Sequence, residues 1–294
     1  MMRQFKQLTV ALSVALMASQ TPAWASDKVI TILTQQDVFN DYQKFIGQRD
    51  PLTLTSYGGT GSRRDVVELI LVQQALKAGG NELPIKIVKV DNSSDSYSRY
   101  IKEITSGSAT MGGNSAWQID LNPLADKVFI SDPVIRNGEF EAGFYTTADN
   151  ADARLTRTLP ELQKLTAVVA ESWKPDVATL ESLKFSNLLK TQSWDSMVGM
   201  LFKKRADVVL APFQPTADMS MDVGGKKLVP IQNVKVGLQG SRHFFVSKAA
   251  PNGAQVAKQL DLGLDKLRDK GLIEKAYRES GFFNLATKNW NRLN

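Results

Sequence analysis

Strand and helix signals alternate along this chain, and the alternation occurs twice. Lys28 to Leu33 (KVITIL) reads as a strand, and Leu52 to Thr55 as a second. After the loop Gly58-Gly59-Thr60-Gly61-Ser62, Arg63 to Ala78 (RRDVVELILVQQALKA) predicts a helix. Apolar residues cover most of its circumference, the pattern of a buried helix. Gly79-Gly80-Asn81 ends it. Ile85 to Val90 predicts a strand, Ser96 to Thr105 a helix, and Ala109 to Gly113 a short segment opening a loop. A second block repeats the order: strand at Leu165 to Ala170, helix at Pro175 to Ser182, amphipathic helix at Ser193 to Lys204, strands at Asp207 to Leu210 and Leu228 to Ile231. A long helix, Ala254 to Lys270, stops at Gly271 and is followed by Leu272 to Ser280. Two βαβαβ blocks predict an α/β chain of two doubly wound lobes with parallel sheets. Ligands of such sheets bind at the carboxyl ends of the strands, so two facing lobes place a cleft between them, with a hinge for closure.

The N-terminus has the form of an export signal. Arg3 and Lys6 precede an apolar run, Leu8 to Ala18, and Ala23-Trp24-Ala25 follows. The run is shorter than the roughly 20 residues a spanning helix needs, and basic head, short apolar middle and A-x-A end describe a secretory signal. Residues 1–25 are therefore expected to be cleaved, leaving a periplasmic protein from Ser26 to Asn294. Losing Arg3 and Lys6 takes the formal charge from +6 to +4. Residues of the chain include no cysteine and one histidine, His243, which removes disulfides, thiolate nucleophiles and Cys- or His-rich metal sites. Its basic residues are spread along the chain without aromatic interleaving, so a nucleic-acid face is not expected. No GxSxG, HExxH or GxxxxGK[ST] motif is present, so no catalytic residue, metal or cofactor is assigned.

Ile104 to Gly143 (ITSGSATMGGNSAWQIDLNPLADKVFISDPVIRNGEFEAG) resembles the bacterial extracellular solute-binding proteins of the polar amino acid type. Ile130-Ser131-Asp132-Pro133 matches that family's hydrophobic-Ser-Asp-Pro turn before the first interlobe crossing. Leu159 to Trp173 looks like the way into the second lobe, Leu201 to Pro212 like the helix-to-strand step, and His243 to Lys248 with Leu260 to Phe283 like the return. The resemblance implies a type II periplasmic-binding-protein-like fold with a two-strand hinge. Lobe one would be residues 26–135 plus 242–294, and lobe two residues 138–240. Amino-acid binders of the family carry an Arg shortly before the Ser-Asp-Pro turn and an Asp ending the second-lobe strand. Here Trp117 to Lys127 holds no Arg, and the Asp position falls at Ala211 or Pro212. A free α-amino acid is therefore not the expected ligand. Tyr57 to Ala78 instead resembles a divergent branch with a Tyr-containing loop and an Arg before a buried helix. Trp173-Lys174-Pro175-Asp176 approximates that branch's second-lobe turn.

Candidate ligand contacts follow. Arg63 and Arg64 open a helix after a glycine-rich loop, where free N–H groups and the helix dipole favour an anion; their other reading is surface charge paired with Asp65 or Glu68. Tyr57 lies beside that loop as a hydrogen-bond donor. Asn114, Ser115 and Trp117 follow the last strand of the first block, and Trp173 and Asp176 follow the first strand of the second. Trp194 reads as core or rim, and His243 as a satisfied structural residue. The expected function is capture of a small anionic or aromatic organic solute, by a monomer, for a membrane permease or a sensor protein. The alternatives are an enzyme on the same scaffold, dehydratase-like, and a ligandless adaptor for a membrane sensor.

Overall fold

A computed structural model describes residues 28–91, 96–214 and 216–294. The expected signal, residues 1–25, lies outside the described residues. The first block contains β1 (Ile30–Gln35), α1 (Gln36–Ile46), α2 (Arg64–Ala78), β2 (Ile85–Val90), α3 (Ser96–Thr105), β3 (Met111–Gly112), β4 (Ala116–Trp117), α4 (Gln118–Leu121) and β5 (Val128–Ile135). The second contains β6 (Glu141–Thr147), α5 (Ala151–Leu155), α6 (Leu159–Leu162), β7 (Thr166–Ala170), α7 (Lys174–Ser182), β8 (Asn187–Thr191), α8 (Trp194–Phe202), β9 (Val209–Pro212), β10 (Met221–Val223), β11 (Lys226–Pro230) and β12 (Val234–Gly237). The chain returns through β13 (Arg242–Ser247), α9 (Gly253–Asp269), α10 (Leu272–Glu279) and β14 (Asn291–Arg292).

The molecule is α/β and two-lobed. In the first sheet the order is β2-β1-β3-β13-β4, with β5 beside β13. β1 runs parallel to β2 and β3, whereas the returning β13 runs antiparallel to β3, β4 and β5. The second sheet is β10-β11-β6-β12-β14, with β9 on β6; β7 and β8 pair in parallel beside it and reach Val208 through a single parallel bridge at Ala167. The sheets are thus mixed rather than all parallel, because the strands that carry the chain between lobes return in the opposite sense.

α2 owes its position to its sequence. From Val66 to Leu76 every residue is buried, polar Glu68, Gln73 and Gln74 included. It packs on α9 through two glycines. A Cβ at Gly79 would stand 1.8 Å from the Gln259 carbonyl oxygen, and one at Gly263 would stand 1.7 Å from that of Ala75, so only glycine permits this approach. Leu52 to Thr55 forms no strand. Gln74 Nε2 donates to the Pro51 and Leu54 carbonyls at 2.8 Å each, which takes backbone acceptors a ladder would need. The Ile130–Pro133 segment is not a turn but part of β5, and the β5–β13 register shifts opposite it.

Two crossings join the lobes, β5 to β6 and β12 to β13. They bond to each other: Gly138 N–H donates to the Leu238 carbonyl, Leu238 N–H to that of Phe140, and Gly240 N–H to Asn137 Oδ1. The end of the chain crosses as well. β14 lies parallel to β12, with Val234 opposite Asn291. This corrects the expectation that all of residues 242–294 sits with the first sheet. Among the described residues no helix is long and apolar enough to cross a membrane.

Candidate functional site: an interlobe cleft

A cleft of about 660 Å³ opens between the lobes. The first lobe contributes Arg64, Asp65, Tyr97, Asn114, Ser115, Trp117 and Asp120 among others, and the second Ser172, Trp173, Asp176, Gln192, Leu210, Ala211 and Pro212. Phe140, Leu238 and Arg242 close it at the hinge. Six of the eight residues singled out from sequence therefore line one cavity: Arg64, Asn114, Ser115, Trp117, Trp173 and Asp176.

Tyr57 and Arg63 do not line it, which corrects the expectation for both. Tyr57 is fully buried and donates its hydroxyl to Gln74 Oε1 at 2.8 Å, while its N–H donates to Glu279 Oε2. Arg63 precedes the first turn of α2 and faces α1, where it pairs with Asp37 at 2.8 Å, Asp41 at 3.1 Å and Asp65 at 2.8 Å. Neighbours in sequence at a helix start point to different sides, because each residue turns the side chain by about 100°.

Charge on the cleft floor is organised by Glu68, whose side chain is 0 % exposed. It accepts from Ser115 N–H at 2.9 Å, Ser115 Oγ at 2.7 Å, Arg64 Nη1 at 3.0 Å and Tyr277 OH at 3.2 Å. Arg64 also pairs with Asp65 at 2.6 Å. Burial alone would lower the Arg64 pKa, but Asp65 and Glu68 outweigh it and hold the guanidinium firmly charged. Burial would raise the pKa of Asp65; Arg64 and Arg63 outweigh that and hold it low. Arg64, expected to be an anion contact, is thus already neutralised. Its guanidinium lies 6.0 and 5.9 Å over the Phe140 and Phe282 rings.

Sequence reasoning missed Arg242. It opens β13, inside the crossing, and is only 8 % exposed. Its Nε donates to Ser115 Oγ at 3.0 Å, and its Nη2 to the Ser115 carbonyl. The guanidinium lies 4.8 Å over the Trp117 ring. Burial and the nearby charge of Arg64 both press its pKa down. Asn114 has its side chain consumed by structure: Oδ1 accepts from Thr34 Oγ1 at 2.7 Å, and Nδ2 donates to the Asp65 carbonyl at 2.8 Å.

On the opposite wall, Trp173 caps α7 and stacks on Trp194, centroids 6.1 Å apart and planes 15° from parallel. Asp176 sits in the first turn of α7, 9 % exposed. Burial raises its pKa from 3.8 to about 7, against the weaker opposing pull of its own N–H and of Arg242. At the mouth, Lys174 Nζ of α7 reaches Asp120 Oδ1 of α4 at 3.1 Å, and Tyr97 OH donates to the other oxygen at 3.2 Å. This ion pair ties one lobe to the other. His243, buried beside the site, is satisfied by Ser241 Oγ and the Ser131 carbonyl. Among the described residues no group of His, Cys, Asp and Glu side chains is arranged to hold a metal ion.

No family model matches the chain, and no curated protein matches it by sequence. Solved structures do. The periplasmic VFT2 domain of Bordetella pertussis BvgS superposes with a TM-score of 0.53 at 15 % identity, over 85 % of this chain and 93 % of that one. An amino acid ABC transporter substrate-binding protein from Streptococcus pneumoniae, bound to L-arginine, gives 0.50 at 15 % identity, over 86 % and 93 %. The Lactococcus lactis GlnP substrate binding domain 2, in its open conformation, gives 0.50 at 12 % identity, over 88 % and 98 %. The fold is that of type II periplasmic-binding-protein-like domains.

Proposed function

We propose that this protein is a periplasmic solute-binding protein, exported with loss of residues 1–25, that captures a small organic solute in the interlobe cleft. The single observation that carries this is a cavity lined from both lobes and floored by the hinge, the geometry in which closure around a solute changes the outer surface. The lobes divide at the two crossings, near residues 135–138 and 240–242. The similar folds include a substrate-binding protein of an ABC transporter and a BvgS domain, which supports a membrane permease or sensor as the reader of the closed state. Aromatic walls at Trp117, Phe140 and Trp173 fit a flat or apolar solute body, and the Arg242 guanidinium fits an anionic group.

An enzymatic reading draws on one observation, the near-neutral pKa of Asp176 in a cleft. Catalysis at that carboxyl would need a second positioned group, and the cleft's other carboxylates are committed to Arg64, Arg63 or Lys174. Capture is therefore the better reading. Thermal-shift screening against small organic solutes, with X-ray scattering on each hit, tests it. A bound solute should raise the melting temperature and shrink the radius of gyration. A broad library that leaves both unchanged would favour the ligandless adaptor.

A further inference from the structure

Arg63 and Arg64, the cations that the sequence marks at the helix start, are both neutralised by carboxylates of α1 and α2. Arg242 is not. Among the described residues no carboxylate oxygen lies within salt-bridge distance of its guanidinium, which donates to the hydroxyl and carbonyl of Ser115. Ser115 is itself held by Glu68 through two hydrogen bonds, so the pair fixes the guanidinium rigidly at the cleft floor. A buried cation with no carboxylate in direct contact is costly unless an anion completes it. From the geometry we infer that Arg242 is the anion-holding residue of this cleft, and that the ligand is a monocarboxylate with a flat or apolar body.

Three observations set the class. Direct pairing leaves one cation of the cleft without a carboxylate in contact: Arg64 pairs with Asp65 and Glu68, and Lys174 with Asp120, whereas Asp65 and Glu68 act on Arg242 only from beyond salt-bridge distance. Asp176, buried on the facing wall, opposes a second negative charge. The surfaces around Arg242 are the Trp117 ring 4.8 Å beneath the guanidinium, Phe140 against Trp117 at 5.3 Å, and apolar Leu210, Ala211 and Leu238. A planar guanidinium on an aromatic face offers its edge to a carboxylate in a two-point contact, with the ligand body against the apolar walls.

This inference rests on the capture reading, and the test separates the two. Isothermal titration calorimetry on the purified protein should compare benzoate and phenylacetate with benzamide and phenylacetamide, neutral partners of the same shape, and with phthalate. At least one acid should bind ten-fold or more tighter than its amide, and phthalate no tighter than benzoate. Arg242→Gln should bring the acid-to-amide ratio close to one, Arg242→Lys should retain part of it, and Arg63→Gln should leave it intact. Equal binding of acid and amide overturns the inference and leaves capture standing, as does a ratio that survives Arg242→Gln. Tighter binding of phthalate overturns the single-charge limit. Silence from every probe overturns the ligand class, while a thermal-shift hit on an uncharged solute would still uphold capture. The wild-type ratio needs no variant, so it decides the matter even where Arg242→Gln fails to fold.

Discussion

Two concavities flank the hinge, and both are rich in charge. The one behind it, about 850 Å³, is lined by Arg136, Lys235, Arg268, Arg278, Lys288 and Arg292 with Glu139, Glu141 and Glu274. The cleft in front is smaller and carries fewer charges. Behind the hinge the charges are settled: Lys235 pairs with Glu141 at 2.9 Å and donates to the Thr287 carbonyl, Arg278 pairs with Glu274, Arg268 donates to the Pro133 carbonyl, Arg292 donates to the Asn294 carbonyl at 2.9 Å, and Arg136 and Lys288 stand in solvent. In front, one guanidinium is buried without a carboxylate, beside aromatic faces. The difference teaches that size and charge density do not mark a site. On the proposal made above, a buried charge with no carboxylate in direct contact does, because a ligand anion would complete it.

The strongest way to break this contrast is to disturb the organiser of each side. Glu68→Gln leaves Arg64 without its buried partner and brings two guanidinium groups into opposition. Urea unfolding should show a loss of about 3–5 kcal/mol, while Glu274→Gln behind the hinge should change stability by less than about 1 kcal/mol. Lys235→Met probes the best-buried pair of the rear concavity. Removing a charged donor from Glu141 and the Thr287 carbonyl should cost about 1.5–3 kcal/mol in the same assay and leave solute binding in the cleft unchanged.

Asp176→Asn sharpens the contrast through pH. The folded-state pKa is about 7 against an ordinary 3.8, so the fold favours the protonated form. The stability this group contributes is complete below its ordinary pKa and is lost as pH rises through about 7. The variant should therefore be more stable than the parent at pH 8, by up to about 4 kcal/mol, and the two should converge near pH 4 in thermal melts. The smallest effect belongs to Lys174→Ala. Its pair with Asp120 is half exposed, so stability should fall by less than about 1 kcal/mol. Scattering of the ligand-free protein should register a more open form.

Much of the fold was legible because it is local. α2 announces itself by apolar residues all round and by Gly79-Gly80, and β2 and α3 fall where alternation and helical spacing put them. The failures are long-range. Leu52 to Thr55 has a strand-like pattern, yet Gln74, twenty residues on, takes the Leu54 carbonyl. Tyr57 and Arg63 sit in the right loop, but side chains of α1, α2 and α10 consume them. Five of the six cleft residues follow from the rule that strand ends carry sites, and Arg64 from the helix start after the glycine-rich loop. Arg242 escaped it because nothing in Arg-His-Phe-Phe-Val-Ser distinguishes a floor residue from a strand that starts with a solvated charge. Its burial depends on Ser115 and Trp117, more than a hundred residues away in sequence.

β14 has a consequence for how the molecule comes apart. The second sheet runs through residues 141–237, but its edge is closed by residues that follow both helices of the return. Asn294 Oδ1 accepts from Gly237 N–H across 57 positions. Trp290 packs edge-on to Phe213, with centroids 5.3 Å apart, and Arg292 fills the space that glycine leaves at 138 and 237. Neither lobe is thus a self-contained stretch of chain, and the second sheet is completed only by residues that follow the return through the first. Calorimetric melting should give one cooperative transition for the whole protein, and removal of residues 289–294 should resolve it into two.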